Sequence, residues 1–162
     1  MMPIKFNNDL SKIYSFDKDI AIRNSITYKD EPQVFFAFSF KDIEFADWLA
    51  KMLQERGIRT WLATKEIKPS DDWQSKVKKN LKKTGFFLAI ISNSSVKSYW
   101  TQWEFQMAIE REKKYKSPHV IPILIEDAKI PLYFDDRQYV DFCYCHNNSI
   151  EKIVAMIEKI RI

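Results

Sequence analysis

Phe86-Phe-Leu-Ala-Ile-Ile91 is followed by Ser92-Asn-Ser-Ser95 and then by Ser98-Tyr-Trp-Thr-Gln-Trp-Glu-Phe105. The first piece is the strongest strand in the chain, a continuous apolar run with no polar side chain. The second piece breaks it. The third opens a helix that runs to about Lys116, with Glu110–Lys114 and Glu112–Lys116 as supporting pairs four residues apart. A buried strand, a short polar break and a helix form half of a parallel β-α-β unit.

The same unit recurs on either side. Val34-Phe-Phe-Ala-Phe38 is a short apolar run that fits a buried strand. Ser39-Phe-Lys-Asp42 has the spacing of a capping box. The helix it opens is expected from about Asp42 to Arg56, with Phe45, Leu49, Met52 and Leu53 inward and Gly57 as its stop. Ile58-Arg-Thr-Trp-Leu62 is the next strand, and a polar loop from Ala63 to Asp72 follows. A helix over Asp71–Lys83 has the stripe Trp73, Val77, Leu81, acids first and lysines last, as the helix dipole favours. Its lysines read as a solvated face.

Beyond the central helix, His119-Val-Ile-Pro-Ile-Leu-Ile125 is a fourth strand, and Pro122 places it near a sheet edge or a bulge. His119 reads as structural. A loop over 126–136 leads to a short strand, Gln138–Phe142. The last helix is expected over Ser149–Arg161, with Ile150, Ile153, Val154, Ile157 and Ile160 on one face and Asn148 with Glu151 as its cap. The alternation predicts an α/β fold. It is a doubly wound, five-stranded parallel sheet in the order 2-1-3-4-5, with helices on both faces. Residues 1–32 show no sustained period and read as an N-terminal arm or docking segment ahead of a domain over 33–162.

Composition narrows the function. The chain has 162 residues, 46% apolar and 30% charged, enough for one domain with a real core. A net charge of +4 with mixed signs does not argue for nucleic acid. No apolar run reaches the ~18 residues of a membrane span. Met1-Met-Pro-Ile-Lys5 lacks a signal-peptide core, so a cytoplasmic setting is expected. Cys143 and Cys145 make no disulfide framework, and Cys143-Tyr-Cys-His146 does not match zinc spacing, so no metal is expected. With Gly57 and Gly85 as its two glycines, the chain has neither a dinucleotide fingerprint nor a Walker loop. Ser92-Asn93 stand where a phospho-receiver would need its aspartate.

In a 2-1-3-4-5 sheet the ligand crevice lies at the carboxyl ends of strands one and three, where the winding reverses. Those ends are Ser39–Asp42 and Ser92–Ser98. Glu104 follows on the helix, on a face with Trp100, Met107, Ala108 and Arg111. A partly buried carboxylate among apolar groups is a functional-site candidate.

These residues resemble Toll/interleukin-1 receptor (TIR) domains of the bacterial NAD-cleaving type. Val34-Phe-Phe-Ala-Phe-Ser-Phe-Lys-Asp42 resembles the opening motif, and Gly57-Ile-Arg-Thr-Trp-Leu62 the second strand. Ile67-Lys-Pro-Ser-Asp-Asp-Trp73 resembles the following loop, with Ser70 where glycine is usual. Ala63 departs from the acidic residue often found there. Ser98-Tyr-Trp-Thr-Gln-Trp-Glu104 matches S-x-W-x-x-x-E, and Val120–Ile125 resembles the fourth strand. The resemblance implies a flavodoxin-like fold and an NAD glycohydrolase acting in bacterial immune or antiphage signalling. Its product would be ADP-ribose or a cyclic isomer. The alternative it implies is a non-enzymatic interaction module.

For the enzyme, Glu104 would be catalytic. Phe38, Ser39, Phe40, Lys41, Asp42, Trp73 and Trp100 would contact NAD, the substrate, and no cofactor would be needed. Ile67 and Pro69, apolar in a solvent-facing loop, would mediate self-association.

Overall fold

A computed structural model describes residues 33–62, 72–144 and 146–161. The N-terminal segment 1–32, the loop residues Ala63, Ile67, Pro69 and Ser70, and Cys145 lie outside those residues. Five parallel strands form one sheet: β1 (Gln33–Ala37), β2 (Thr60–Leu62), β3 (Thr84–Ile91), β4 (His119–Leu124) and β5 (Val140–Asp141). Their order is β2-β1-β3-β4-β5, as the strand–helix alternation predicts. Four helices accompany them: α1 (Ile43–Glu55), α2 (Trp73–Lys82), α3 (Tyr99–Tyr115) and α4 (His146–Arg161).

The sheet is buried on both sides because its three central strands are apolar over most of their length, at 34–37, 86–91 and 120–124. Successive side chains point to opposite faces. Val34, Phe36, Phe86, Leu88, Ile90, Ile121 and Ile123 meet α1 and α4 through Leu49, Leu53, Ile153 and Ile157. Phe35, Ala37, Phe87, Ala89, Ile91 and Val120 meet α2 and α3 through Val77, Leu81, Phe105 and Ala108. Aromatic rings tie the second layer together. Phe35 stacks on Phe87 at 5.2 Å, and Phe87 meets Phe105 edge-on at 6.4 Å.

Helix ends differ from expectation where a non-local partner intervenes. Ser39 does not cap α1 directly. Its side chain accepts from Lys41 N at 3.4 Å and shapes a 3-10 turn over Phe40–Asp42, and α1 starts one residue later. At the other end Gly57 takes φ +76°, the left-handed stop expected of it. α4 begins at His146, so Asn148 lies inside the helix and does not cap it. Glu151 instead accepts from Arg56 through Nε at 3.0 Å and through the terminal nitrogen at 2.8 Å, joining the end of α1 to the first turns of α4.

Pro122 is in β4, one strand in from the edge strand β5 and so near the sheet edge, where its site is permissive. β5 pairs with β4 only from Ile123 onward. In a parallel strand alternate residues direct their backbone groups to the same neighbour. Val120, Pro122 and Leu124 face away from β3, and Leu124 O accepts from Phe142 N at 2.8 Å. Proline thus stands where the β5 ladder has barely begun.

Val120 lies beyond β5, and side chains serve it. Its N–H donates to Glu112 Oε2 at 2.6 Å, and its carbonyl accepts from Arg137 at 3.3 Å. Glu112 and Arg137 pair with each other at 2.5 Å. Glu112 therefore bonds across the fold rather than along α3 to Lys116. Lys116 ends α3 with φ 61°. Glu112→Ala should lower stability by about 2 kcal/mol in urea denaturation, since it strands a backbone donor and a half-buried cation. Lys116→Gly should not lower it, because glycine adopts that φ without strain. The reverse order would show that the pair along the helix is the important one.

Candidate active site

β1 and β3 are neighbours, and their carboxyl ends hold the polar groups excluded from the strands. Phe38 and Ser39 are buried, Phe40 and Lys41 are exposed, and Asp42 is half-buried. Ser92, the first residue after β3, is fully buried and donates from Oγ to Asp42 Oδ2 at 2.5 Å. The same Oγ accepts from Ser95 N at 3.0 Å, while Ser95 Oγ accepts from Ser92 N at 2.8 Å. This closed pair of serines satisfies the backbone as the chain leaves the sheet, and it clamps the end of β1 through Asp42.

The clamp continues into α3. Ser98 caps the helix, its Oγ accepting from Thr101 N at 3.3 Å and from Thr101 Oγ1 at 2.9 Å. Gln102 Nε2 donates to Ser95 O at 3.1 Å, and Tyr133 OH donates to Gln102 Oε1. Burial pushes the Tyr133 hydroxyl up to about 12, against the opposing effect of a hydrogen bond with Gln106. Sequence reading missed Ser92, Ser95, Gln102 and Tyr133 as parts of one network. The signal available for the serines was a polar run directly after a wholly apolar strand.

Glu104 lies on the inner stripe of α3, with Thr101, Phe105, Ala108 and Ile109. It is 0% exposed, whereas Trp100, one turn earlier, is 41% exposed. The sequence predicts one partly buried face for both, and the structure divides them. The buried stripe is centred on Phe105 and Ala108, so Trp100, Met107 and Arg111 fall on its flanks. At 1.5 Å per residue Glu104 sits about 7 Å along the axis from the helix start. That places a buried carboxylate close under the sheet's carboxyl edge. Trp100 meets Tyr99 edge-on at 5.4 Å, and both rings reach solvent beside that edge. Trp73 opens α2.

The Cys143 region carries different chemistry. Its thiol is pushed up to about 11 by burial, then by a hydrogen bond with Asp141 and the charges of Asp141, Asp127 and Glu126. A thiol held in its neutral form is a poor metal ligand. Among the described residues no group of three His, Cys, Asp or Glu side chains is placed to hold a metal ion.

The sheet order and the serine clamp define a doubly wound α/β domain with its polar groups at the switch between β1 and β3. The profile of the TIR domain matches residues 34–154, and the chain belongs to that family. Over 134 residues it is 25% identical to a probable 2' cyclic ADP-D-ribose synthase, TcpO, of Methanobrevibacter olleyae. That match covers 76% of this chain and 39% of the relative. It is 26% identical over 102 residues to the 2' cyclic ADP-D-ribose synthase AbTIR of Acinetobacter baumannii, covering 61% of this chain and 38% of that one. The chain therefore spans about two fifths of the length of these curated relatives.

Among solved structures, the TIR domain of the Toll-related receptor TRR-2 of Hydra magnipapillata superimposes with a TM-score of 0.65 at 16% identity. It covers 77% of this chain and 97% of that one. The TIR domains of the activated Roq1 resistosome give 0.60 at 20% identity, covering 78% and 99%. Both share the flavodoxin-like fold.

The Cys143 environment makes a direct prediction. In a Cys145→Ser background, iodoacetamide should alkylate the folded protein about 100-fold more slowly at pH 8 than a thiol of ordinary pKa. The rate should climb until about pH 11, the value to which the group is pushed. A rate that levels off near pH 9 would contradict the environment described.

Proposed function

We propose that this domain cleaves the nicotinamide–ribose bond of NAD, with Glu104 as the carboxylate that stabilises the reacting ribose. The observation that carries the reading is a carboxylate at a core position of α3, fully enclosed, on the helix that starts at the switch between β1 and β3. Taking a carboxylate out of water costs free energy, so a carboxylate at a core position is a functional-site candidate. The names of the TcpO and AbTIR relatives, both 2' cyclic ADP-D-ribose synthases, support the same chemistry.

Nicotinamide in NAD is cationic at its ring nitrogen. The C1'–N bond breaks with both electrons going to nitrogen, and neutral nicotinamide leaves. Positive charge then develops on the ribose, as in glycoside hydrolysis. A fixed carboxylate beside the ribose accepts from its hydroxyls and offsets that charge. Attack by water at C1', with loss of a proton, gives ADP-ribose. Attack by a hydroxyl of the same molecule gives a cyclic isomer. Phe38, Ser39, Phe40, Lys41, Asp42, Trp73 and Trp100 are the groups assigned to NAD. The exposed ring of Phe40 is suited to stacking, and Asp42, held by Ser92, fixes the turn.

Full enclosure of Glu104 has a kinetic consequence. Ribose reaches it only after an opening at that edge, and any association that favours the opened form raises activity. We assign that association to Ile67 and Pro69 in the loop after β2. The setting we infer is a cytoplasmic effector of immune or antiphage signalling. Among the described residues no helix is long and apolar enough to cross a membrane.

Glu104→Gln should lower the rate of NAD loss by roughly 10²–10³. Its melting temperature should stay within about 2–4 °C of the parent, the shift expected for ~1 kcal/mol in a domain of this size. Glu158→Gln, an exposed carboxylate on α4, should leave the rate unchanged. Equal rates for Glu104→Gln and parent would sink the assignment. A parent that cleaves no NAD even when concentrated would leave the interaction module as the function.

Activity per molecule should also rise with protein concentration, and Ile67→Asp should weaken that rise. Constant specific activity across dilution would remove association from the mechanism.

A further inference from the structure

A groove of about 250 Å³ lies between α2 and α3, away from the switch between β1 and β3. Lys78, Lys82, Arg111 and Lys114 line it, against one carboxylate, Glu110. Leu81 and Met107 supply an apolar strip, and Tyr115 forms one wall. The Arg111 guanidinium lies 4.5 Å from the centre of the Tyr115 ring, and Lys114 Nζ lies 5.1 Å from it. Sequence patterning assigns the α2 lysines to a solvated face. The structure brings two of them opposite cations of a second helix.

Two features point to an anion. Like charges gathered around one groove repel, and a bound anion removes that cost. Arg111 Nε is also buried and has no hydrogen-bond acceptor among the described residues. An enclosed N–H without an acceptor is costly, and a small turn of the guanidinium toward the groove would let an oxyanion supply one. Phosphate suits the guanidinium fork, and the lysines add point charges around it.

The apolar strip and the tyrosine ring, which is 54% exposed, call for a flat ring attached to the anion. The volume lies just under the usual ~300–1,000 Å³ of small-molecule sites. It therefore suits a mononucleotide rather than a dinucleotide or a nucleic-acid strand. We propose that this groove binds a phosphorylated small molecule of the nucleoside monophosphate class, with the phosphate on Arg111 and the lysines and the base against Tyr115, Leu81 and Met107.

Calorimetric titration with AMP and with inorganic pyrophosphate tests this on the full chain. Both should bind, AMP the more tightly, and both should weaken as salt rises. Arg111→Gln should weaken both about 10-fold or more, the loss expected for a charge-assisted bond. Its melting temperature should stay within about 2–4 °C of the parent, because loss of the contact with the Tyr115 ring is offset by removal of an unsatisfied donor. Tyr115→Ala should weaken AMP and spare pyrophosphate, whereas Glu110→Gln should tighten both. No binding of either probe at millimolar concentration would overturn the proposal. So would binding that Arg111→Gln leaves unchanged, or binding lost in Glu104→Gln, which would locate it at the sheet edge. Retention on phosphatidylserine vesicles without AMP binding would also overturn it, by assigning these cations to a lipid surface.

Discussion

Every residue of β3 from Phe86 to Ile91 is buried, and the rest of the domain follows from that constraint. A strand enclosed on both faces requires helices on both faces, and parallel neighbours require crossovers long enough to supply them. The two cores are built from alternate residues of the same strand, so neither can be repacked without moving the other. Polar chemistry is thereby expelled from the sheet to its carboxyl edge. There Ser92 turns back to hold Asp42 and starts the chain of contacts through Ser95 and Gln102 to Tyr133.

The elements were readable because their signals are local. Apolar runs gave the strands, the 3.6-residue stripe gave the inner faces of α1 and α4, and Gly57 marked a stop that the backbone adopts. What was not readable depends on residues far apart in the chain. Glu112 looks like a partner for Lys116, yet it meets Val120 and Arg137. Glu151 looks like part of a cap, yet it meets Arg56. Helical spacing places Trp100 beside Glu104, but it does not say where the buried stripe is centred. That is set by how α3 lies on β1 and β3. The residues Ile67 and Pro69 fall outside what the structure describes.

α3 serves several demands at once. Its first turn is pinned by Ser98, its inner stripe carries Glu104, its flank contributes Met107 and Arg111 to the groove with α2, and its last turns send Glu112 to β4. Ridges of apolar side chains on Phe105, Ala108 and Ile109 fix its rotation against the sheet. A change in that rotation would move all of these groups together. The helix is thus a rigid link between the sheet's carboxyl edge and the cationic groove.

Among the described residues, the short β5 leaves the beginning of β4 with no strand on its outer side, the kind of edge on which another chain can pair and start an aggregate. The N–H and carbonyl of Val120, which such a chain would need, are already engaged by Glu112 and Arg137. Pro122, the next residue facing that side, has no N–H to offer. An ion pair and a proline thus do the work of the missing strand length, and they keep the edge closed to copies of the same chain.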